Sequence, residues 1–337
     1  MFNQNREIGS EFWDVPTKEK ETRAFPASTQ WFLSGRSALQ TIIRELEDAR
    51  SVSLPSWCCD SMVKPFIDAG ITVHFYPVYW RDGLIQEPSL DSDALFLMDY
   101  FGYSAPAPDL GAYQGAVIRD VTHSIFSAAY SDADYYFGSL RKWCGVWTGG
   151  YAWTRDAHTL SMDAADGLAY ISLRQKAMQL KSDYISGSEV SDKGYLKVFE
   201  EAEESLEQAG AFPGAERDIR LARRLNAKLI RERRRENAEV LRAAFAEWLI
   251  FPDLLPSDCP MFVPIQVPGG KRDELRRYLI RNEIYCPVHW PASDCLRWNE
   301  QTERLCQNEL SLVCDQRYGL DDMNRMAETI QRFFKEG

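Results

Sequence analysis

Four short apolar runs set the strongest limit on what this chain can fold into. They are "SVSLP" (51–55), "ITVHFYPV" (71–78), "DALFLMDYFG" (93–102) and "GAVIRD" (115–120). A strand with one face in water alternates apolar and polar residues, whereas an unbroken apolar run suits a strand covered on both faces. Helical periodicity lies between them. Leu39, Ile42, Ile43 and Leu46 recur at helical spacing within 36–49, and "DSMVKPFIDAG" closes on Gly70, a favoured residue just past a helix end. Such alternation predicts an α/β domain with a mainly parallel central sheet flanked by helices. "ADYYFGSL" (133–140) and "GGYAWTR" (149–155) read as two further strands.

Beyond about residue 155 the pattern turns helical and polar, through "LRQKAMQLKSDY" and "YLKVFEEAEESLEQAG", into one long basic amphipathic helix over 215–248. "MFVPIQVP" (261–268) opens a new strand region, followed by "KRDELRRYLIRNEI", "YCPVHWP" and a closing helix through "DDMNRMAETIQRFFK". The expected organisation is an N-terminal segment (1–25), a large α/β domain (26–235) and a small C-terminal α+β domain (236–337).

Composition removes several function classes. A formal charge of −11 over 337 residues lacks the basic footprint of a nucleic-acid binder. The basic run 220–237 is interleaved with Leu221, Leu225, Leu229 and Ile230, which reads as a solvated helix face. No apolar run reaches the roughly 18–20 residues of a membrane span, and the first sixteen residues have no signal-peptide core. A cytoplasmic protein with eight reduced cysteines is expected, and their spacing forms no zinc pattern.

Ligands of open α/β sheets bind beyond the C-terminal strand ends, so polar residues there carry the functional signal. Asp120 ends "AVIRD", with His123 three residues on. Ser34, Gly35, Arg36 and Ser37 open the first helix, where backbone N–H groups would suit a phosphate or simply a capped helix start. Ser139 and Lys142 make an S-x-x-K spacing, and Gly149 and Gly150 allow a tight turn and close backbone approach. In this order the groups match a pyridoxal-phosphate site: an amine for a Schiff base, an anion for the pyridine nitrogen, and donors for the phosphate. Trp143 and Cys144 would wall the amine off from water and favour its nucleophilic form.

These segments resemble the DegT/StrS-type aminotransferases, fold-type I pyridoxal-phosphate enzymes that mostly aminate nucleotide-linked keto sugars. "FLSGRSALQTIIREL" resembles their phosphate-binding helix start, "VIRDVTHSIFS" their E-D-x-A-H segment and "FGSLRKWCGVWTGGYAW" their S-x-x-K…G-G. The resemblance implies that Lys142 carries the cofactor and acts as acid/base, that Asp120 pairs with the pyridine nitrogen, and that His123 sits by the ring. It implies a phosphate held by Ser139 and the backbone of Gly35, Arg36 and Ser37. Where the family has Thr-aromatic in "P-S-x-T-F", this chain has Cys58 and Cys59, with Trp57 as the available ring. His289 in "PVHWP" and Arg317 in "DQRYG" are substrate candidates, Arg317 as a carboxylate clamp or as a structural partner of Asp315. Implied with these are a glutamate or glutamine donor, a keto-sugar acceptor for surface polysaccharide, and a homodimer.

Other readings stand beside this one. Ser139 with Lys142 as base would suit an acyl hydrolase, but of its companion motifs only "SDK" (191–193) occurs. A desulfurase or lyase on the same cofactor and a non-catalytic scaffold are the remaining alternatives.

Overall fold

The unbroken apolar runs become the interior of one seven-stranded sheet. The structure, a computed structural model, describes all residues except 1–6, 23, 106–107, 112, 128–131, 165–166, 188–192, 207–208 and 337. Ser191 and Asp192 of "SDK" thus lie outside the described residues. The elements begin with β1 (Ile8–Gly9), β2 (Gln30–Phe32), α1 (Gly35–Glu45), β3 (Ser51–Pro55), α2 (Asp60–Asp68) and β4 (Thr72–Tyr76). A hairpin of β5 (Val78–Trp80) and β6 (Leu84–Gln86) precedes β7 (Ala94–Met98), β8 (Ala116–Asp120), β9 (Tyr135–Ser139) and β10 (Gly150–Thr154).

The sheet order is β2-β10-β9-β8-β7-β3-β4. Within this sheet β4, β3, β7, β8 and β9 run parallel, and β10 is antiparallel to both β9 and β2. All five residues of β7 and of β10 are buried, as two covered faces require. Each fully buried side chain such as Leu54 or Ile118 contributes about 1.5–3 kcal/mol. The mainly parallel α/β expectation therefore holds. Helix α1 stops at Glu45, short of 49, because the chain turns at Leu46.

The second half carries α3 (Leu168–Ser186), α4 (Tyr195–Ser205), α5 (Glu216–Arg223), α6 (Ala227–Ala244), β11 (Phe262–Gln266), α7 (Arg272–Arg281), β12 (Ile284–Tyr285), α8 (Glu300–Asn308), β13 (Glu309–Val313) and α9 (Leu320–Glu336). The single helix expected over 215–248 is two. Leu225 is drawn into a bridge with Thr17, the Asn226 N–H donates to Pro16 O, and the Asn226 side chain caps α6 by accepting from Leu229 N–H. The basic face of α6 is also not simply solvated. Arg234 is buried and donates to Met261 O at 2.8 Å, while Arg235 and Arg242 donate to Leu255 O and Phe251 O. Arg234 and Arg242 thereby supply donors to the carbonyls of the buried Met261 and Phe251.

A second apolar core collects Ala238 and Leu241 of α6, Val263 and Ile265 of β11, Leu310 and Leu312 of β13, Met326 and Ile330 of α9, and Ile8. Ile8 arrives there because β1 pairs in parallel with β12, and the Gly9 N–H donates to the Tyr318 hydroxyl at 2.9 Å. No helix among the described residues is long and apolar enough to cross a membrane.

Candidate active site

Asp120 ends β8, Ser139 ends β9, and α1 starts just after β2, so one sheet edge gathers all three. Ser34 caps α1 by accepting the Ser37 N–H at 3.1 Å, which leaves the Gly35 and Arg36 amides opening the helix. Ser139 lies against that opening: a Cβ placed on Gly35 would sit 3.3 Å from Ser139 Cβ. The Ser139 N–H donates to Thr122 Oγ1, but its own buried hydroxyl has no partner among the described residues. A buried polar atom without a partner is an exception in folded proteins, and one beside a helix N-terminus invites an anion. The Arg36 side chain turns away to Leu206 O. Gly150 is fixed by close approach, since a Cβ there would meet Ser34 O at 2.0 Å, and Gly149 has φ +140°.

Asp120 is buried, and its Oδ1 accepts the Thr122 N–H at 2.7 Å. Burial pushes its carboxyl up to about 6, against the Thr122 hydrogen bonds and the charge of Lys142. Asp120 has no ion pair among the described residues, and a protonated ring nitrogen would supply one. Lys142 ends a 3-10 turn, Leu140–Lys142, and is exposed, and its amine makes no hydrogen bond or ion pair among the described residues. Its charge acts on Asp120, Cys59, His123, His289 and Glu203, so these groups lie within its electrostatic reach.

Two expectations are corrected here. Trp143 and Cys144 do not wall the amine: both point into the interior, where the Trp143 indole donates to Thr122 O and Arg234 stacks 4.3 Å from its ring. Trp57 is not an open stacking platform. It is fully buried, stacked on Tyr100, and its indole N–H donates to His289 O at 2.6 Å. The buried ring needs its N–H satisfied, and this bond does so.

His123 lies in the same cluster, its Nδ1 accepting the Phe101 N–H and its ring stacked on Trp290. Burial and Lys142 lower it to about 3, so it is neutral. Cys59 sits at the start of α2 with Sγ 2.8 Å from Ser61 Oγ, and burial pushes its thiol up. Trp290 escaped sequence reasoning because a ring in a proline-flanked loop carries no periodic signal.

Lys142 also opens onto a cleft of about 430 Å³, lined among others by His289, Phe12, Arg276, Tyr285 and Arg317. Arg317 is engaged there: its guanidinium grips Asp315 through two nitrogens, donates to Ser10 O and Glu11 O, and lies 3.9 Å over Phe12. It holds the segment that forms one cleft wall. Arg276 donates only to Cys286 O among its described bonds. A wider depression of about 860 Å³ lies at the opposite strand ends, beside Asp93, Ala116 and Tyr135, and contains none of these groups. No cluster of potential metal ligands occurs among the described residues.

No protein-family model matches the chain, and no curated protein matches it. Solved structures do. A DegT DnrJ EryC1 StrS aminotransferase from Brucella abortus aligns with TM-score 0.62 at 15% identity, over 90% of this chain and 85% of that one. PseC of Helicobacter pylori, an aminotransferase involved in pseudoaminic acid biosynthesis, aligns with TM-score 0.60 at 15% identity over 97% and 100%. NtdA from Bacillus subtilis, solved with bound cofactor PMP, aligns with TM-score 0.59 at 14% identity over 91% and 73%. The chain has the fold of these aminotransferase structures.

Proposed function

We propose that the protein is a pyridoxal-phosphate-dependent aminotransferase, moving an amino group from an amino acid to a keto sugar. One observation carries this reading. A single sheet edge holds the uncommitted amine of Lys142, the buried carboxyl of Asp120 and the unpartnered hydroxyl of Ser139 beside the start of α1. An amine, an anion and a phosphate cradle are the three things the cofactor asks of a protein. The fold likeness to a structure with PMP bound supports the same reading.

In this reading Ser139 and the Gly35 and Arg36 amides hold the phosphate, the Ser37 amide being kept by Ser34, while Asp120 faces the ring nitrogen and Lys142 is the attachment point. When bound, the cofactor supplies an electron sink for the substrate's reacting carbon. Lys142 Nζ would be the acid/base that carries a proton between the two carbons flanking the transferred nitrogen. His123, being neutral, packs without adding positive charge. The donor is glutamate or glutamine and the acceptor is nucleotide-linked, serving surface polysaccharide synthesis. A cytoplasmic homodimer belongs to the same proposal. Donor and acceptor share one cofactor in turn, so ping-pong kinetics are expected.

The visible spectrum with pyridoxal phosphate tests it. A band that is absent in Lys142→Ala and bleaches with glutamate is the expected result. A band unchanged by any amino donor would mean a non-catalytic protein, and no band in the wild type would end the cofactor assignment.

A further inference from the structure

Across the cleft from the sheet edge, β13 carries Glu309 and Ser311, both completely buried. Residues two apart on a strand point the same way. Ser311 Oγ lies 2.5 Å from Glu309 Oε1 and 2.8 Å from His289 Nδ1. The other carboxyl oxygen, Oε2, accepts the His289 N–H at 2.7 Å. His289 lines the cleft that Lys142 also lines, and with Nδ1 held by Ser311 its free ring nitrogen is Nε2. A single file of hydrogen bonds thus leads from a dry carboxyl to the cleft.

The Ser311 hydroxyl has one proton, so the file has two senses. With Glu309 ionised, Ser311 donates to Oε1 and accepts from Nδ1–H, which leaves Nε2 bare. With Glu309 protonated, the carboxyl donates to Ser311, Ser311 donates to Nδ1, and the hydrogen sits on Nε2. We propose that Glu309, Ser311 and His289 form a proton relay that delivers the carboxyl proton of Glu309 into the cleft at His289 Nε2. In one delivery the Nε2–H bond breaks toward the acceptor, Nδ1 takes the Ser311 proton, and Ser311 takes the Glu309 proton. Only O–H and N–H bonds change, and the imidazole is neutral before and after.

The surroundings favour this over a charged histidine. Burial, with His123 and Lys142 nearby, pushes His289 well below its ordinary value and disfavours the imidazolium. Burial raises Glu309 to about 8, against the Ser311 and His289 hydrogen bonds and the charge of Arg272 from α7. Besides Lys142 and Arg272, the titratable groups facing this file are thiols and a second histidine. Cys306 of α8 and Cys286 beyond β12 are pushed up to about 12, and His123, its ring 6.0 Å from that of His289, is held at about 3. None of these changes charge near neutral pH, so Glu309 is the file's proton source. The relay rests on the proposed aminotransferase only for the proton's destination, the acceptor's carbonyl oxygen as it leaves as water.

The test reads imidazole nitrogen shifts by NMR in the cofactor-free protein from about pH 6 to about pH 9.5. The four histidines are assigned by single substitution. His289 should carry hydrogen on Nε2 at the acid end and on Nδ1 at the alkaline end, switching near 8. In Glu309→Gln the His289 N–H retains the amide oxygen, the amide nitrogen faces Ser311, and the Nε2–H form should persist at every pH. Ser311→Thr keeps the hydroxyl and should switch like the wild type. A wild-type tautomer that never changes, or a Glu309→Gln protein that switches, overturns the relay. In the loaded enzyme Glu309→Gln should lower kcat about 100-fold with KM changed less than about 3-fold. No transamination by a wild type whose tautomer does switch would overturn the proposed reaction and support the relay.

Discussion

Replacing Ser139 by alanine should move folding stability and cofactor affinity in opposite directions. The hydroxyl is buried and unpartnered, so the cofactor-free protein bears its desolvation cost, about 1–3 kcal/mol for such a group. Alanine removes that cost and leaves only a small void. Ser139→Ala should therefore be unchanged or stabilised by up to about 1 kcal/mol in urea unfolding without cofactor. Binding should suffer instead. A hydrogen bond to a charged phosphate is worth about 1.5–3 kcal/mol, which is about a 10- to 150-fold rise in Kd. Titration with pyridoxal phosphate measures the loss, and pyridoxal, which lacks the phosphate, is the control and should bind both proteins alike. An apo variant destabilised by more than about 1 kcal/mol, or an equal loss with pyridoxal, would refute the reasoning.

Asp120→Asn probes the second member of the edge. The folded carboxyl titrates near 6 against an ordinary 3.8, so the native state holds an extra proton between those values. Wild-type apo stability relative to the variant should fall as pH rises through that window and level off above it, by roughly 3 kcal/mol. Urea unfolding at acid and neutral pH checks the sign. Arg317→Ala leaves Asp315 buried without its fork and should cost about 3–5 kcal/mol, with faster hydrogen exchange at residues 9–12. Gly150→Ala sets a Cβ 2.0 Å from Ser34 O and must push the start of α1 aside. About 2 kcal/mol or more of stability and most cofactor affinity should be lost together in thermal melts and titration.

The parallel strands were legible because burial on both faces leaves an unbroken apolar run, as in Ala94–Met98. The strand-end positions of Asp120 and Ser139, and of Lys142 just beyond, were legible because they close such runs, where the topology leaves little freedom. What failed was whatever depended on partners distant in sequence. Residues 215–248 keep helical periodicity throughout, and only contacts with Pro16 and Thr17 break them at Asn226. Glu309 and Ser311 escaped sequence reasoning, because "NELSLV" carries no sign of the chains that bury both faces of β13. Trp143, Cys144 and Trp57 look like pocket walls from their neighbours in sequence, yet their rings and thiol answer to the interior.

The pairing of Ile8 and Gly9 with Ile284 and Tyr285 bears on the order of assembly. Gly9 meets Tyr318 across 309 positions of chain, so that contact waits until nearly all of it is available. Loop closure over such a span comes late, after the locally connected sheet has had time to form. The edge carrying Lys142, Asp120 and Ser139 lies wholly within residues 30–154 and needs no such wait. A nascent chain should thus present its anion cradle before it owns a cleft, and cofactor captured early could steady the sheet on which the remaining wall is laid.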